Sequence, residues 1–314
     1  MKALITGGAG FIGSNICKQL ANEGHEVRVL DNLSSGFEGN LEGLPLQLIV
    51  GDTRDAQSVR EAVDGCDVVF HLAASVGNKR SIDNPLEDTK TNVLGTLNVL
   101  QAARELGVRK IVVSSSAGIY GELRSIPIRE NHPIEPVTPY GASKLYTEKM
   151  ALAFAQVFGI EAIGLRYFNV YGPNQRFDAY GNVIPIFAFR ALGGEPIHIF
   201  GDGLQTRDFV HVGDVVDANI KAAMSSGISD AFNIASGTQI RILDLANAIN
   251  AFVDKPVPLI FDPPRPGDVA HSLADVSAAR AKIGYFPSTK FATGLADYMA
   301  WARREAQAVG SLRN

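Results

Sequence analysis

The sequence predicts an α/β chain with two parts, a doubly wound parallel sheet and a smaller, mixed α/β lobe. Two observations carry that expectation. Through the first half, short β-branched runs alternate with longer amphipathic segments at about 20 to 30 residue intervals, as βαβ units require. The opening apolar run also ends in a glycine-rich turn, Gly7-Gly8-Ala9-Gly10-Phe11-Ile12-Gly13, directly before an amphipathic stretch, which is the Rossmann-type arrangement.

Candidate strands follow one another at Lys2–Thr6, Glu26–Leu30, Leu46–Val50, Asp67–Leu72, Lys110–Ser114 and Ala162–Phe168. Most are continuous apolar runs, the pattern of strands covered on both faces. The clearest helix is Thr91–Leu106, where Val93, Leu94, Leu97, Leu100 and Ala103 recur at helical steps and Gly107 supplies the stop. After about Tyr171 the chain turns to Gly/Pro-punctuated short segments. The division expected is a first domain over residues 1–170, with a return around 206–235, and a second lobe over 171–314. Helix-like Val212–Met224 and strand-like Ala231–Ala235 fit either part, and Leu295–Ala308 reads as a docked terminal helix.

A chain of 314 residues, 46% apolar and 20% charged, buries a sizeable core, which excludes disorder for most of its length. The net charge of −4 and the lack of a Lys/Arg block argue against nucleic acid as a partner. The longest mostly apolar stretch, Met150–Leu165, is interrupted by Gln156, Gly159 and Glu161 and falls short of the ~20 residues that span a bilayer, so no membrane partner is expected. The N-terminal run lacks a small-residue cleavage site. With only two cysteines, Cys17 and Cys66, a reducing, cytoplasmic location is expected. No group of side chains has metal-ligand spacing, and no metal is expected.

A glycine turn between a strand and a helix allows close backbone approach to a pyrophosphate and aims a helix N-terminus at it. Gly7, Gly10, Phe11, Ile12 and Gly13 are therefore candidate dinucleotide contacts. Asp31 stands 18 residues beyond Gly13 at the end of the second strand, where a carboxylate accepts ribose hydroxyls and repels a 2′-phosphate. NAD is thus favoured over NADP. Asp52 and Thr53 follow the third strand, where Asp52 is a candidate partner for the adenine amino group, although Gly-Asp is also a common turn.

Tyr140-Gly141-Ala142-Ser143-Lys144 places Tyr140 and Lys144 on one helix face, with Pro139 suited to the helix start. An ammonium about 4 Å from a phenolate at an effective dielectric near 20 is worth roughly 4 kcal/mol, so the phenol pKa is expected to fall by up to about three units toward the range of a general base. The fifth strand ends in Ser114-Ser115-Ser116, at the sheet end where ligands of such folds sit.

These residues resemble the extended short-chain dehydrogenase/reductase family, of the NAD-dependent epimerase/dehydratase type, and specifically its UDP-glucose and UDP-N-acetylglucosamine 4-epimerases. The resemblance runs along nearly the whole chain through TGGAGFIGS at 6–14, DNLSSG at 31–36, HLAA at 71–74, SSSAGIYG at 114–121, YGASK at 140–144, LRYFNVYGP at 165–173, GDGLQTRDFVHVGD at 201–214 and RPGDVAHSLAD at 265–275. It implies a tightly held NAD, a transient 4-keto UDP-hexose and inversion at C4. It assigns Tyr140 as the proton carrier, Lys144 to the nicotinamide ribose and Ser116 to the bridge between Tyr140 and the sugar oxygen.

The same resemblance places Asn32, Ser35 and Gly36, and Leu72, Ala73, Ala74, Asn92, Ser114 and Tyr167, along the cofactor. For the UDP-sugar it implies Asn169, Asn182, Val183 and Arg207, with Arg265 and Asp268, for the diphosphate and uridine. His198 and Phe200 fall near the base and ribose, and Ser272 at the hexose pocket. A homodimer through residues 91–106 and 144–157 is also implied.

Three alternatives remain at this stage. Dehydratases and decarboxylases on this scaffold carry an acid where Ala117 and Gly118 stand, although Glu122 is close by. A UDP-glucuronate epimerase would use Arg176 or Lys79 against the substrate carboxylate. A non-catalytic dinucleotide-binding regulator would be expected to have lost Tyr140, Lys144 or the serine, and all three are present.

Overall fold

A computed structural model describes residues 1–177, 181–264 and 269–311. Strands β1 (Lys2–Thr6), β2 (Glu26–Asp31), β3 (Leu46–Val50), β4 (Val68–His71), β5 (Lys110–Ser116) and β6 (Glu161–Tyr167) join the strand Asp230–Ile234 in one seven-stranded sheet. All pairings are parallel, in the order Asp230–Ile234, β6, β5, β4, β1, β2, β3. Because β1 is flanked by β2 on one side and β4 on the other, the winding reverses there, and a crevice opens at the carboxyl ends of these strands.

Two strands run further than their apolar content predicts. β2 takes in Asp31, and β5 continues through Ser114, Ser115 and Ser116, whose partners on β6 are Leu165, Arg166 and Tyr167. Sheet pairing therefore holds these polar residues at the crevice. The strand at Asp230–Ile234 pairs with β6, and the helix Val212–Met224 packs on the helix Phe11–Asn22, so both segments that fitted either part lie with the large sheet.

The expected helix Thr91–Leu106 is broken into a π-helical turn, Lys90–Leu94, and an α-helix, Gly95–Glu105. The wide turn accompanies an inward Asn92, which is fully buried, and brings Gly95 against Thr53, where an added Cβ would lie 2.6 Å from the threonine hydroxyl. Side-chain periodicity does not reveal such a turn.

The helix Pro139–Phe158 begins with Thr138, whose hydroxyl accepts from the Gly141 N–H at 3.1 Å, and stops at Gly159 in the left-handed region, φ 76°. Its buried Glu148 receives Arg166 of β6 in two hydrogen bonds of 2.7 and 2.8 Å, and the Ser115 hydroxyl adds a third at 2.8 Å. Arg166 also donates to Tyr120, whose hydroxyl donates to Asn233 in the neighbouring strand. Burial opposes the Arg166 charge, yet Glu148 and Tyr120 hold its pKa above the ordinary value. One network thus ties the helix to β5, β6 and the strand beyond.

The second lobe has its own core, in which Phe187 of the helix Val183–Leu192, Leu245 and Ile249 of Ile242–Asn250, and Tyr298 and Met299 of Phe291–Ser311 pack on Ile197 and Ile199. Strand Leu259–Asp262 runs parallel to Ile197–Phe200. Among the described residues no helix is long and apolar enough to cross a membrane.

Removing the anion from the buried network should expose its importance to stability. Glu148→Leu leaves Arg166 as an uncompensated buried charge and is expected to lower unfolding free energy by about 3–5 kcal/mol in urea titrations.

Candidate active site

The glycine turn is shaped by contact with the next loop. Gly7 has φ +71°, and a Cβ there would lie 2.7 Å from the backbone nitrogen of Ala73; one on Gly13 would lie 2.3 Å from the Gly7 carbonyl oxygen. Gly10 caps the helix Phe11–Asn22, and among the described residues no cap side chain hydrogen-bonds its N-terminus. Phe11 and Ile12 form the first turn of that helix. The Leu72 N–H donates to the Thr6 carbonyl and the Ala73 N–H to the Thr6 hydroxyl, so residues 72–74 run along the turn.

Asp31 lies beside this turn, 7% exposed, with one carboxylate oxygen accepting from the Ala9 N–H at 2.9 Å and the other from the Leu33 N–H at 2.8 Å. Gly36 crosses closely over it, while Asn32 and Ser35 are exposed nearby. Asp52, the candidate adenine partner, is engaged by Arg54 and by the Asn32 amide at 2.8 Å. The Arg54 hydrogen bonds bring its carboxyl down to about 2. Thr53 is buried under Gly95.

At the ends of β4 and β5 the reactive residues meet. Lys144 Nζ donates to the Ser114 hydroxyl at 2.9 Å, and that hydroxyl donates to the His71 carbonyl at 3.1 Å. Ser116 accepts from the Gly118 N–H, and Gly118 lies between its hydroxyl and the Tyr140 ring, a Cβ there meeting the two at 3.4 and 3.9 Å. The Tyr140 N–H donates to Ser81 Oγ at 3.1 Å, so the short helix Asn78–Asp83 holds the start of the Tyr140–Lys144 helix. Tyr167 directs its hydroxyl to Asn219, 3.0 Å away, and pairs in the sheet with Ser116.

The expected fall of the Tyr140 pKa is not produced by the protein's own groups. Burial pushes the phenol up to about 12, the Ser116 hydrogen bond opposes the rise, and the charge of Asp88 adds to it. Lys144 donates its ammonium to Ser114, and burial brings it down to about 8 against the raising effect of Asp88. Helical spacing puts the two residues on one face but does not set where the lysine points.

Sequence reasoning missed Asp88, Ser81 and His71. Buried His71 bridges Thr6 at 2.8 Å and Thr96 at 3.0 Å, and burial drives its pKa down to about 3. Asn92 was singled out, and the structure makes it a strap: its amide accepts from the Ser75 N–H and lies within hydrogen-bond distance of Asp88 and Ser143. The run HLAA at 71–74 was a signal for His71, but nothing local distinguished Asp88 from surface acids.

The second-lobe residues form a separate group. Asn169 starts the strand Asn169–Tyr171 and donates to the Asp208 carbonyl; Asn182 caps the helix that Val183 opens. Phe200 lines a cavity of about 710 Å³ with Phe261, Asp262 and Val269, and His198 pairs with Asp262 at 2.8 Å. Arg207 donates to the Thr206 and Val269 carbonyls, and Ser272, 8% exposed, donates its N–H to the Thr206 carbonyl. Arg265 and Asp268 lie outside the described residues. Arg176 is bound to Glu305 and Asn40, and Lys79 to Asp83, whereas Glu122 is exposed.

Comparison with known proteins gives a consistent result. The model of the NAD dependent epimerase/dehydratase family matches residues 3–235. UDP-glucose 4-epimerase of Mycolicibacterium smegmatis is 37% identical over 313 residues, 98% of this chain and all of that one. The crystal structure of UDP-glucose 4-epimerase from Thermotoga maritima with UDP-glucose has TM-score 0.92 at 36% identity, covering 97% and 99% of the two chains. UDP-N-acetylglucosamine 4-epimerase from Methanobrevibacter ruminantium, in complex with UDP-N-acetylmuramic acid, has TM-score 0.92 at 35% identity, covering 97% and 98%.

The state of His71 is open to a stability test. Its folded pKa near 3 lies below the ordinary 6.5, so the unfolded chain takes up a proton first as pH falls. The stability it contributes is complete above about 6.5 and is lost toward about 3. In denaturant titrations the advantage of wild type over His71→Gln is expected to narrow across that window.

Proposed function

Because the chain belongs to the NAD dependent epimerase/dehydratase family, we propose that it inverts C4 of a UDP-hexose through a transient 4-keto sugar, using one NAD that it retains through the cycle. The observation that carries this reading is the meeting of Ser116, Tyr140 and Lys144 at the strand ends beside the glycine turn. The turn fits a dinucleotide: a Cβ at Gly7 or Gly13 would strike neighbouring backbone, so glycine permits the tight turn there; no side chain hydrogen-bonds the helix N-terminus at Gly10; and Asp31 ends β2 beside it, as a ribose partner requires. Bound NAD supplies the hydride acceptor and donor, and its oxidised ring supplies positive charge that offsets the burial of the phenol.

Tyr140 takes the proton of the sugar 4-hydroxyl and returns it, with Ser116 orienting the oxygen. Its hydrogen bond to Ser116 already favours the phenolate against burial. Lys144, held by Ser114, presents an ammonium to the cofactor ribose near neutral pH. The residues along 72–74, with Asn92 fastening that loop, border the cofactor, and Thr53, buried under Gly95, shapes the wall behind it.

The UDP end is assigned to the cavity lined by Phe200 and Phe261, whose Asp262 holds His198 and whose Val269 holds Arg207; Asn169, Asn182, Val183, Arg265 and Asp268 join that set by the resemblance alone. A planar guanidinium suits a diphosphate because its donors form a fork. In this division residues 1–170 and the return at 206–235 hold NAD, and 171–314 hold the nucleotide sugar.

Epimerisation is favoured over elimination because the turn after Ser116 carries Ala117 and Gly118, with Glu122 directed to solvent. The salt bridges of Arg176 and Lys79 make neither a ready partner for a hexuronate. The small side chain of Ser272 supports acceptance of 2-acetamido sugars alongside glucose and galactose. Exposed Leu94, Val157 and Phe158 support a homodimer through the helices that carry them, and two free cysteines suit a cytoplasmic location.

Proton NMR of UDP-galactose, UDP-N-acetylgalactosamine and UDP-glucuronate incubated separately with the purified protein, without added NAD, is expected to show 4-epimers of the first two. Tyr140→Phe should lower kcat by about 10²-fold or more while NAD stays bound, the loss typical of a missing general base. Ser272→Tyr should depress turnover of the acetamido sugar and spare the plain hexose; equal turnover of both would contradict the pocket assignment.

A further inference from the structure

Beside the Tyr140–Lys144 pair sits a buried acid that the reaction scheme leaves without a role. Asp88, on the helix Pro85–Thr89, is 1% exposed. Its Oδ1 accepts from the Asn92 amide at 3.1 Å. Among the described residues Oδ2 has no hydrogen-bond partner, and the adjacent Ser143 hydroxyl donates to the Tyr140 carbonyl oxygen; burial pushes the Asp88 carboxyl up, an effect that Ser143 opposes. A carboxylate half satisfied in the interior is costly unless its charge is used. Asn92 joins it to the reactive helix, because the same amide lies 3.0 Å from Ser143 Oγ, one residue before Lys144.

We propose that Asp88 is the counter-charge of Lys144, a positioning residue that holds the lysine as an ammonium and sets the protonation balance of the Tyr140–Lys144 pair. The inference rests on the epimerase reading of that pair. Other charged groups on the elements packed against the helix are already committed. His71, at the end of β4, is held neutral between Thr6 and Thr96, and Glu148 on the helix itself is bound by Arg166 of β6. On the short helices, Glu87 pairs with Arg54 and Lys90, and Asp83 with Lys79. Half-buried Arg80 is a further cation on that side, and Tyr167 of β6 is engaged with Asn219. The helix Pro85–Thr89 packs directly on the Tyr140–Lys144 helix, with Asn92 between Asp88 and Ser143, and Asp88 raises the pKa of both Lys144 and Tyr140.

A buried negative charge raises the pKa of both neighbours: it favours the ammonium and disfavours the phenolate. Removing it must lower both. A structural hydrogen-bond partner would leave both in place, so the two roles separate experimentally.

The test is Asp88→Asn, which keeps shape and removes charge, with Asp88→Glu as the charge-keeping control and Asp88→Ser as a second neutral variant should the first fold poorly. In the pH profile of turnover, the neutral variant is expected to move both limbs toward acid by about one unit, with Asp88→Glu leaving them near the wild-type positions. In the near ultraviolet, the tyrosinate signal of Tyr140, taken as the difference from Tyr140→Phe in the same background, should appear at lower pH. A profile that drops in height without moving, with an unshifted phenol titration, would overturn the proposal. If wild type turns over no nucleotide sugar, the epimerase reading fails by itself, and the phenol titration still reports on Asp88.

Discussion

The reversal of winding between β1 and β4 is the constraint on which the rest of the molecule depends. The chain leaves these neighbouring strands toward opposite faces, so their carboxyl ends cannot be covered by one connection and a crevice is left open. Everything reactive is brought to that line. Thr6 and His71, opposite one another in register, end the two strands, and the loops after them touch so closely that Gly7 admits no side chain. β5 adds Ser114 and Ser116, and the helix across them adds Tyr140 and Lys144.

Charge is managed differently on the two sides of that helix. Toward the sheet, Glu148 and Arg166 neutralise one another within a saturated network, which fixes the helix while leaving little field to act on the chemistry. Toward the short helices, Asp88 is left half satisfied beside the reactive pair. The protein alone keeps the phenol near 12 and the ammonium near 8, an inverted ordering for an active base. In the proposed reaction Tyr140 would therefore need positive charge from an oxidised cofactor to act as a base.

Much of this was legible in the sequence because it is local. Strands β1 to β6 announced themselves as apolar runs, the glycine turn sits within one strand–helix junction, and the Tyr140–Lys144 spacing lies within one helix. The rest depends on partners distant in sequence. Ala231–Ala235 fitted either part until pairing with β6 placed the strand Asp230–Ile234 in the sheet. The π turn at Lys90–Leu94 accompanies an Asn92 that reaches inward to Ser75 and Ser143, and no periodicity encodes it. Asp88 reads as one more acid before a Thr-Lys pair, and only burial distinguishes it. The direction of Lys144, toward Ser114, is likewise a property of the packed site.

The central claim is that oxidation and reduction at C4 occur on one sugar molecule with one retained NAD. Its most direct test is a UDP-hexose deuterated at C4, turned over in ordinary water without added NAD, with the deuterium content of the epimer read by mass spectrometry and NMR. The account predicts that the product keeps its deuterium at C4, since the label leaves and returns as hydride within the site. Washout of the label into solvent would show inversion by proton exchange and contradict the account.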